Sequence, residues 1–394
     1  MFYESITKST SPPVVTLDKM RNQNGNHSMR CCFPGFCESN NVKIHDECFN
    51  KTFLDCQVCG ETRGVVFLFL AVCLGLAILI GNGLTVLVGI RRCKRGKASK
   101  MDICRTSLAM ADVLTSIQLL VIVTYNFSWS MSMTLNELEN EQGTLRGSPL
   151  AYTAGLLFLF AITTSMYQLA YMAMERIYAI AKPYGYRWQS NKSVYVGVVM
   201  AWILPAIAII LTCFIQELTF SYSPMVFLYY PTPTELNQSS AIHLFYAVLY
   251  AVPYLLTTIL IIGTGIMICR HRKIVGGMEE KSKNKTTKRL SLQRNTDALI
   301  TIAIMQIAFS ITALPTMIIS SLLYTSQLDC ATLSQPYLIS FYFTLSNSLA
   351  NVVIYNIRDK EFRDEMLHTV KPQFARKLLK WGTSNETTEL QTKI

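Results

Sequence analysis

Charge is scarce in this sequence. Asp, Glu, Lys and Arg make up 15% of its 394 residues, where a soluble globular domain carries roughly 25%. Histidine is scarcer still: the five copies are scattered, and none joins a Ser/His/Asp set or an HExxH pair. A phosphate-binding loop is missing too, so no enzymatic chemistry is encoded in a recognisable pattern. Met1 to Arg63 holds no apolar core, which argues against a cleaved signal peptide and leaves the first apolar run to act as the insertion signal. No internal repeat suggests a transporter built from duplicated halves. Together these absences exclude a cytosolic enzyme, a disordered tail protein and a secreted disulfide scaffold. The formal net charge of +11 does not point to nucleic acid, because the basic runs flank apolar segments instead of covering one face of a soluble domain.

What is present is a set of seven long apolar stretches: Val65–Ile90, Ile103–Tyr125, Leu150–Ile180, Val194–Leu218, Ala241–Cys269, Asp297–Tyr324 and Gln335–Asn356. About 20 mostly apolar residues suffice to cross a bilayer as a helix, the form that satisfies its own backbone groups in hydrocarbon. The expected fold is an all-α membrane protein, a seven-transmembrane helix bundle over residues 65–356. An extracellular segment, 1–64, precedes it and a cytoplasmic segment, 357–394, follows. Pro205, Pro253 and Pro315 fall inside the fourth, fifth and sixth spans, where neighbouring helices can re-satisfy the freed carbonyls.

Orientation follows from Lys and Arg near the span ends. Arg91-Arg92-Cys93-Lys94-Arg95, the segment Lys182–Lys192 and the run from Arg270 to Arg294 are basic loops, expected in the cytoplasm. Ser128–Pro149 carries three Glu against Arg146, and Ser221–Ser240 has Glu235 with no Lys or Arg, so these loops are expected outside. The expected protein is therefore a multi-pass plasma-membrane protein with its N-terminus extracellular.

Cysteine usage agrees with that topology. Cys31, Cys32, Cys37, Cys48, Cys56 and Cys59 crowd the outer N-terminal segment, where disulfides persist. Six cysteines allow 15 connectivities, and Cys330 in the last outer loop is a further candidate partner. Cys56-Gln57-Val58-Cys59 could also be half a zinc site, but no second CxxC or matching His accompanies it. Asn26, Asn50 and Asn237 head glycosylation acceptor triplets on the same side.

Polar residues at membrane depth are expensive and read as functional by default. The first span carries Asn82, the second Asp112, the third Ser165, and the seventh Asn347, Ser348 and Asn351 on one helical face. Hydroxyl, amide and carboxylate oxygens around one point suit a small monovalent cation. A water-filled hydrogen-bond network around a neutral Asp112 is the alternative, and the inventory alone leaves both open. At the inner end of the third span stands Glu175-Arg176, a pair that by itself is also compatible with simple snorkelling.

Taken together these residues resemble a family. Asn82, Leu108-Ala109-x-x-Asp112, Glu175-Arg176, Trp202 with Pro205, Pro253, Pro315 and Asn351-x-x-x-Tyr355 followed by Phe362-Arg363 occur in the order and spans of the rhodopsin-like, class A G-protein-coupled receptors. The resemblance runs from Val65 to about His368. It implies a receptor that passes an extracellular signal to a heterotrimeric G protein by rearranging its bundle, an allosteric coupling. It implies a structural sodium ion on Asp112, Ser165, Asn347, Ser348 and Asn351, with no other metal or cofactor. It gives Glu175, Arg176, Pro183, Tyr184 and Tyr355 the coupling role at the inner face. Arg358–Thr369 would be the short amphipathic helix lying on the inner leaflet of the bilayer. Thr383, Ser384, Thr387 and Thr388 in the tail could gain charge by phosphorylation, or simply be solvated.

The chain also departs from the family pattern. The third span opens Leu150-Ala151-Tyr152 with no cysteine, and Ser221–Ser240 has none to pair with it. Ala313 stands where a Trp precedes the sixth-span proline, Val352 replaces the proline after Asn351, and Ile261 occupies the place of a fifth-span tyrosine. Asn295 takes the place of an acidic partner for Arg176. A raised basal activity, or a non-signalling decoy, would follow from loss of the usual switch. A channel using Asp112 as its ion site would need further ionisable groups across the bundle, and the spans show a single mid-depth carboxylate.

The implied ligand pocket is Phe158, Leu159, Ile162, Phe245, Tyr246, Thr316, Met317, Phe341 and Leu345. With Phe158 where amine receptors have Asp, and no Lys in the last span for a retinal Schiff base, neither ligand class fits. The apolar lining favours an apolar small molecule, a lipid or a peptide. Gly81-Asn82-Gly83-Leu84 and Met174-Glu175-Arg176 through Tyr186 also resemble prostanoid receptors, without the last-span Arg that would hold a fatty-acid carboxylate.

Overall fold

The computed structural model describes Thr52, Asp55 and residues 61–212, 214, 218–233, 247–277, 285–325 and 330–369. Among these, α1 (Glu61–Lys94), α2 (Lys100–Ile117), α3 (Thr124–Met131), α4 (Leu135–Leu145), α5 (Pro149–Ala181), α6 (Pro183–Trp188) and α7 (Asn191–Thr212) come first. A hairpin of β1 (Leu218–Ser223) and β2 (Leu228–Pro233) follows, then α8 (Val252–Gly277), α9 (Lys285–Thr325), α10 (Cys330–Leu345) and α11 (Asn347–Arg358). A last helix, α12, covers residues 360–369.

Among the described residues, seven stretches are long and apolar enough to span a membrane: Thr62–Lys94, Lys100–Met131, Pro149–Ala181, Asn191–Leu211, Leu249–Arg270, Leu299–Ser320 and Leu333–Arg358. The bundle is arranged for lipid. Val66, Phe69, Leu70 and Ile80 of the first span point outward and are exposed, while its polar Asn82 and Thr85 are buried between helices. The third span, α5, is central and packs against α2, α7, α8, α9 and both strands. Gly197 of α7 permits one of these approaches, since a Cβ there would lie 2.2 Å from the Tyr171 ring.

Local sequence fixes where the helices begin. Ser99 and Asp102 form a capping box, with the Ser99 hydroxyl accepting from the Asp102 amide at 3.1 Å and the Asp102 carboxylate accepting from the Ser99 amide at 2.8 Å. Ser148 caps α5 by accepting from the Ala151 amide at 3.2 Å, and Pro149 fills the first helical position, where no donor is needed. Thr134 and Glu137 make a second capping box that starts α4.

The expected spans are found, with corrected edges. The second runs on to Met131 through a π-helical turn at Gln118–Val123. That turn inserts an extra residue and rotates the rest of the span, and neither Pro nor Gly marks it. The fourth ends near Leu211, not at Leu218, which instead opens β1. Pro253 sits at the start of α8, directly after a second π turn at Ala247–Ala251. Residues 241–246 of the expected fifth span lie outside the described residues.

The loops differ more. Ser128–Pro149 holds the end of the second span and α4, and Ser221–Ser240 holds most of an antiparallel hairpin in the register Tyr222↔Tyr229. The run from Arg270 to Arg294 prolongs the fifth and sixth spans as helix on both sides. The cysteine cluster and Asn26, Asn50 and Asn237 lie outside the described residues, as does the pairing of Cys330, which opens α10.

Candidate functional site

Asp112 of α2 is the hub of the mid-bundle site, with 1% of its surface exposed. Its Oδ1 accepts hydrogen bonds from Ser165 of α5 at 3.0 Å and Ser348 of α11 at 2.9 Å. Its Oδ2 accepts from Asn351 Nδ2 at 3.1 Å. Asn82 of α1 donates to the Ser348 carbonyl at 3.1 Å, so four spans converge here. A cavity of about 20 Å³ opens beside the carboxylate, lined also by Thr115, Met166, Phe309 and Asn347. That volume suits one water or one small ion.

The oxygens around the cavity are all hard donors. A carboxylate has about four acceptor sites, and three are used here. The buried Oδ1 atoms of Asn347 and Asn351 have no hydrogen-bond partner. Asp112, Ser165, Asn347, Ser348 and Asn351 are therefore brought together in one region, and the unmatched carbonyl oxygens are hard donors of the kind that fit a small cation. The chain at this point is the joint between α10 and α11, where Ser346 interrupts the regular seventh-span helix.

At the end of the bundle carrying the basic segments, Glu175 and Arg176 form a buried ion pair, with Arg176 Nε donating to Glu175 at 2.6 Å. Tyr186 of α6 completes it. Its hydroxyl accepts from Arg176 at 3.0 Å and donates to the other Glu175 oxygen. Burial, partly offset by Arg176 and reinforced by the Glu175 charge, pushes the Tyr186 phenol up, so it stays a donor. Lys100 donates to the Tyr186 carbonyl and sits 3.9 Å from its ring centroid. Pro183 opens α6, and Tyr184 and Trp188 on that helix are 74% and 87% exposed, four residues apart on one face.

Tyr355 belongs to a different cluster from the Arg176 pair with which the sequence grouped it. Its buried ring lies 6.3 Å from that of Phe362 in α12, and the Arg105 guanidinium lies 5.1 Å from its centroid. Arg105 also pairs with Asp359, while Arg92 reaches Asp102 at 3.4 Å and Glu361 at 3.6 Å. The Phe362 amide donates to Asp359 at 3.0 Å. Burial pushes the Asp359 carboxyl up, but Arg105, that amide and Arg92 outweigh it and hold the carboxyl below its ordinary range. Lys100, Arg105, Asp359 and Tyr186 were not singled out for these contacts from sequence, because each pairs across an interface that only the folded bundle creates.

The opposite end holds the expected ligand-pocket residues. Phe158, Leu159, Phe341 and Leu345 are buried in one apolar cluster, Ile162 packs against it, and the Phe158 and Phe341 rings are 5.6 Å apart. Thr316 meets Thr344 at 2.7 Å, linking sixth and seventh spans, and Met317 is half-buried. Phe245 and Tyr246 lie outside the described residues. The hairpin residues Met225, Val226, Phe227, Leu228 and Tyr229 share the same cluster, which the sequence did not foresee. Ala313, where the family has Trp, packs with Met166 and Phe309 instead.

A seven-span helical membrane bundle with a buried carboxylate hub and an Arg–Glu pair at one end is the arrangement of seven-transmembrane receptors. The family model for the seven-transmembrane receptors of the rhodopsin family matches residues 81–355, and the chain belongs to that family. Among curated relatives it is similar to melatonin receptor type 1B-B of Danio rerio, 23% identical over 293 residues, 73% of this chain and 76% of that one. Among solved structures it is similar to the crystal structure of squid rhodopsin, with a TM-score of 0.65 and 13% identity over 79% of this chain and 87% of that one. That likeness speaks for the fold.

Proposed function

We propose that this membrane receptor is a G-protein-coupled receptor of the plasma membrane, with its hairpin end and N-terminus extracellular and its basic end in the cytoplasm. The excess of Lys and Arg at the α12 end supports that orientation. The observation that carries the coupling role is the pairing of Arg176 with Glu175 and Tyr186 at that end. An Arg held by one acidic neighbour and one loop hydroxyl can exchange those partners for a transducer when the helices separate. Tyr184 and Trp188 supply an exposed aromatic face beside it, suited to a heterotrimeric G protein.

Asp112, Ser165, Asn347, Ser348 and Asn351 would hold a sodium ion. A cation held there would supply a positive charge offsetting the Asp112 carboxylate, while Asp112, Ser165, Ser348 and Asn351 themselves join the second, third and seventh spans. The ligand enters from the hairpin end and is apolar or peptidic, since the cluster of Phe158, Leu159 and Phe341 offers no charge to an amine.

Guanine-nucleotide exchange on co-expressed G proteins, measured for the unaltered receptor and the Arg176→Ala variant at matched surface levels, tests the reading. Exchange above background that falls at least tenfold in the variant is expected. Exchange indistinguishable between the two would overturn it.

A further inference from the structure

The helix that carries the exposed aromatic face is too short to hold itself. α6 spans Pro183–Trp188, and Lys182 before it makes no side-chain hydrogen bond to its first turn. Isolated helices shorter than about 12 residues are marginal in water, so the order of α6 comes from what it touches. The Tyr186 amide donates to the Lys182 carbonyl at 2.8 Å and the Gln189 amide to the Gly185 carbonyl at 2.9 Å. The remaining carbonyls of the last turn have no partner within the helix.

A residue from another span supplies one. Lys100, half-buried at the start of α2, donates from Nζ to the Tyr186 carbonyl, 86 positions on, and the same nitrogen lies 3.5 Å from Gln189 Oε1. A cation is favoured at the C-terminus of a helix, where the carbonyl ends of the peptide dipoles gather. Glu175 attracts this ammonium and Arg176 repels it, so the end of α6 gives Lys100 a partner that the ion pair alone does not. The lysine stem starts from a rigid point, since the Ser99 and Asp102 capping box fixes the first turn of α2. On the far side Gln189 Nε2 donates to Ser193 Oγ of α7 at 2.9 Å. Tyr186 turns inward to Arg176 while Tyr184 and Trp188 face out, so the seating of α6 sets where that aromatic pair is presented.

We propose that Lys100 is a positioning residue for coupling: from α2 it caps the C-terminus of α6 and holds Tyr184 and Trp188 where a transducer meets them. This assignment rests on the receptor reading above and names what orders its docking face. A partner that finds the face in place spends less free energy on ordering it. When the face is in place only part of the time, the apparent dissociation constant rises by the inverse of that fraction, while the complex once formed is the same. Loss of Lys100 therefore raises the G-protein concentration needed for half-maximal exchange and leaves the maximal rate as it was. Loss of Arg176, by contrast, removes the exchange itself.

Purified full-length receptor in lipid nanodiscs, unaltered or carrying Lys100→Met or Lys100→Arg, tests this in two ways. Hydrogen exchange of the peptide covering 182–190 reads the order of α6 with no G protein present. Lys100→Met keeps the apolar stem and loses the ammonium; it is expected to speed exchange of the Tyr186 and Gln189 amides at least tenfold. Lys100→Arg is expected to restore most of the protection. Nucleotide exchange titrated with purified G protein reads coupling. The half-maximal concentration is expected to rise at least threefold in Lys100→Met at an unchanged maximal rate, and to return near the unaltered value in Lys100→Arg. Should Lys100→Met not fold, Gln189→Ala, which removes the second oxygen facing the ammonium, is expected to move both readings the same way by about twofold. Unchanged protection of α6, or faster amide exchange with no change in the half-maximal concentration, would overturn the proposal, as would a fall in maximal rate alone. An unaltered receptor that drives no nucleotide exchange at any G-protein concentration, with α6 still released by Lys100→Met, would sink the coupling reading and leave the cap standing.

Discussion

A single hydroxyl, that of Tyr186, touches both members of the ion pair at the basic end. It takes a hydrogen bond from Arg176 and gives one to Glu175, so both ions keep partners that a simple side-by-side pair would leave to water. Hydrogen bonds to charged groups are each worth about 1.5–3 kcal/mol when the partner is buried. Because Arg176 and Glu175 keep each other as partners, Tyr186→Phe is expected to weaken the closed state by about the value of one such bond and not two, lowering the thermal midpoint of purified receptor and raising its ligand-free nucleotide exchange. An unchanged midpoint would mean that water replaces the hydroxyl without cost. The position of Tyr186 in the chain gave no hint of this. Glu175 and Arg176 stood out because charge is rare near an apolar run, whereas Tyr186 lies ten residues on in a segment rich in tyrosine, and its role depends on the turn at Lys182 that folds α6 back.

At the scale of elements, the docking of α12 onto α2 shows how far pairing can outrun sequence. Arg105 and Asp359 are 254 positions apart, yet they join the start of the second span to the end of the seventh. Phe362 then lies under Tyr355, so α12 is held by one ring contact and several ion pairs. A carboxyl held below its ordinary range contributes fully above its unfolded pKa, about 4, and loses that contribution as pH falls through the lowered folded value. Asp359 is such a group, so the protection of residues 360–369 against hydrogen exchange is expected to be the same at pH 7 and pH 5 after correction for intrinsic rates. Arg105→Ala is expected to reduce that protection several-fold at both values. Loss of protection between pH 7 and pH 5 in the unaltered receptor would point to another anchor. The hairpin, by contrast, was legible in principle. Thr219, Phe220, Ser221, Tyr222 and Ser223 alternate polar and aromatic residues up to Pro224, a strand-and-turn pattern that the reading of this segment as a loop passed over. The π turn in the second span left no such trace, because Gln118–Val123 is an ordinary apolar run.

For the whole molecule, the seven spans and the polar hub were legible because both rest on a contrast with lipid: long runs without charge, and single polar groups inside them. Asp112, Ser165, Ser348 and Asn351 meet in the folded bundle, a gathering that the family resemblance implied and helical spacing alone did not. If that hub takes sodium only in the closed bundle, mass action stabilises the receptor by about 1.4 kcal/mol at a concentration ten times the dissociation constant. Replacing sodium with choline at constant ionic strength is expected to lower the thermal midpoint by a few degrees. Asp112→Asn is expected to remove that difference. A variant that keeps the full sodium response would place the ion elsewhere.

The way the hairpin is fastened has a consequence for the conditions under which the molecule works. A covalent bridge makes a loop's position permanent for the life of the chain. Here the seat is held by rings and by a few hydrogen bonds from Asn126, Ser130 and Tyr342, so its occupancy is an equilibrium. Reductants find no disulfide to cleave in this seat among the described residues. Cooling does act on it, because the apolar share of its stability fades as temperature falls. The hairpin's place over the apolar cluster is therefore set by packing whose strength changes with temperature.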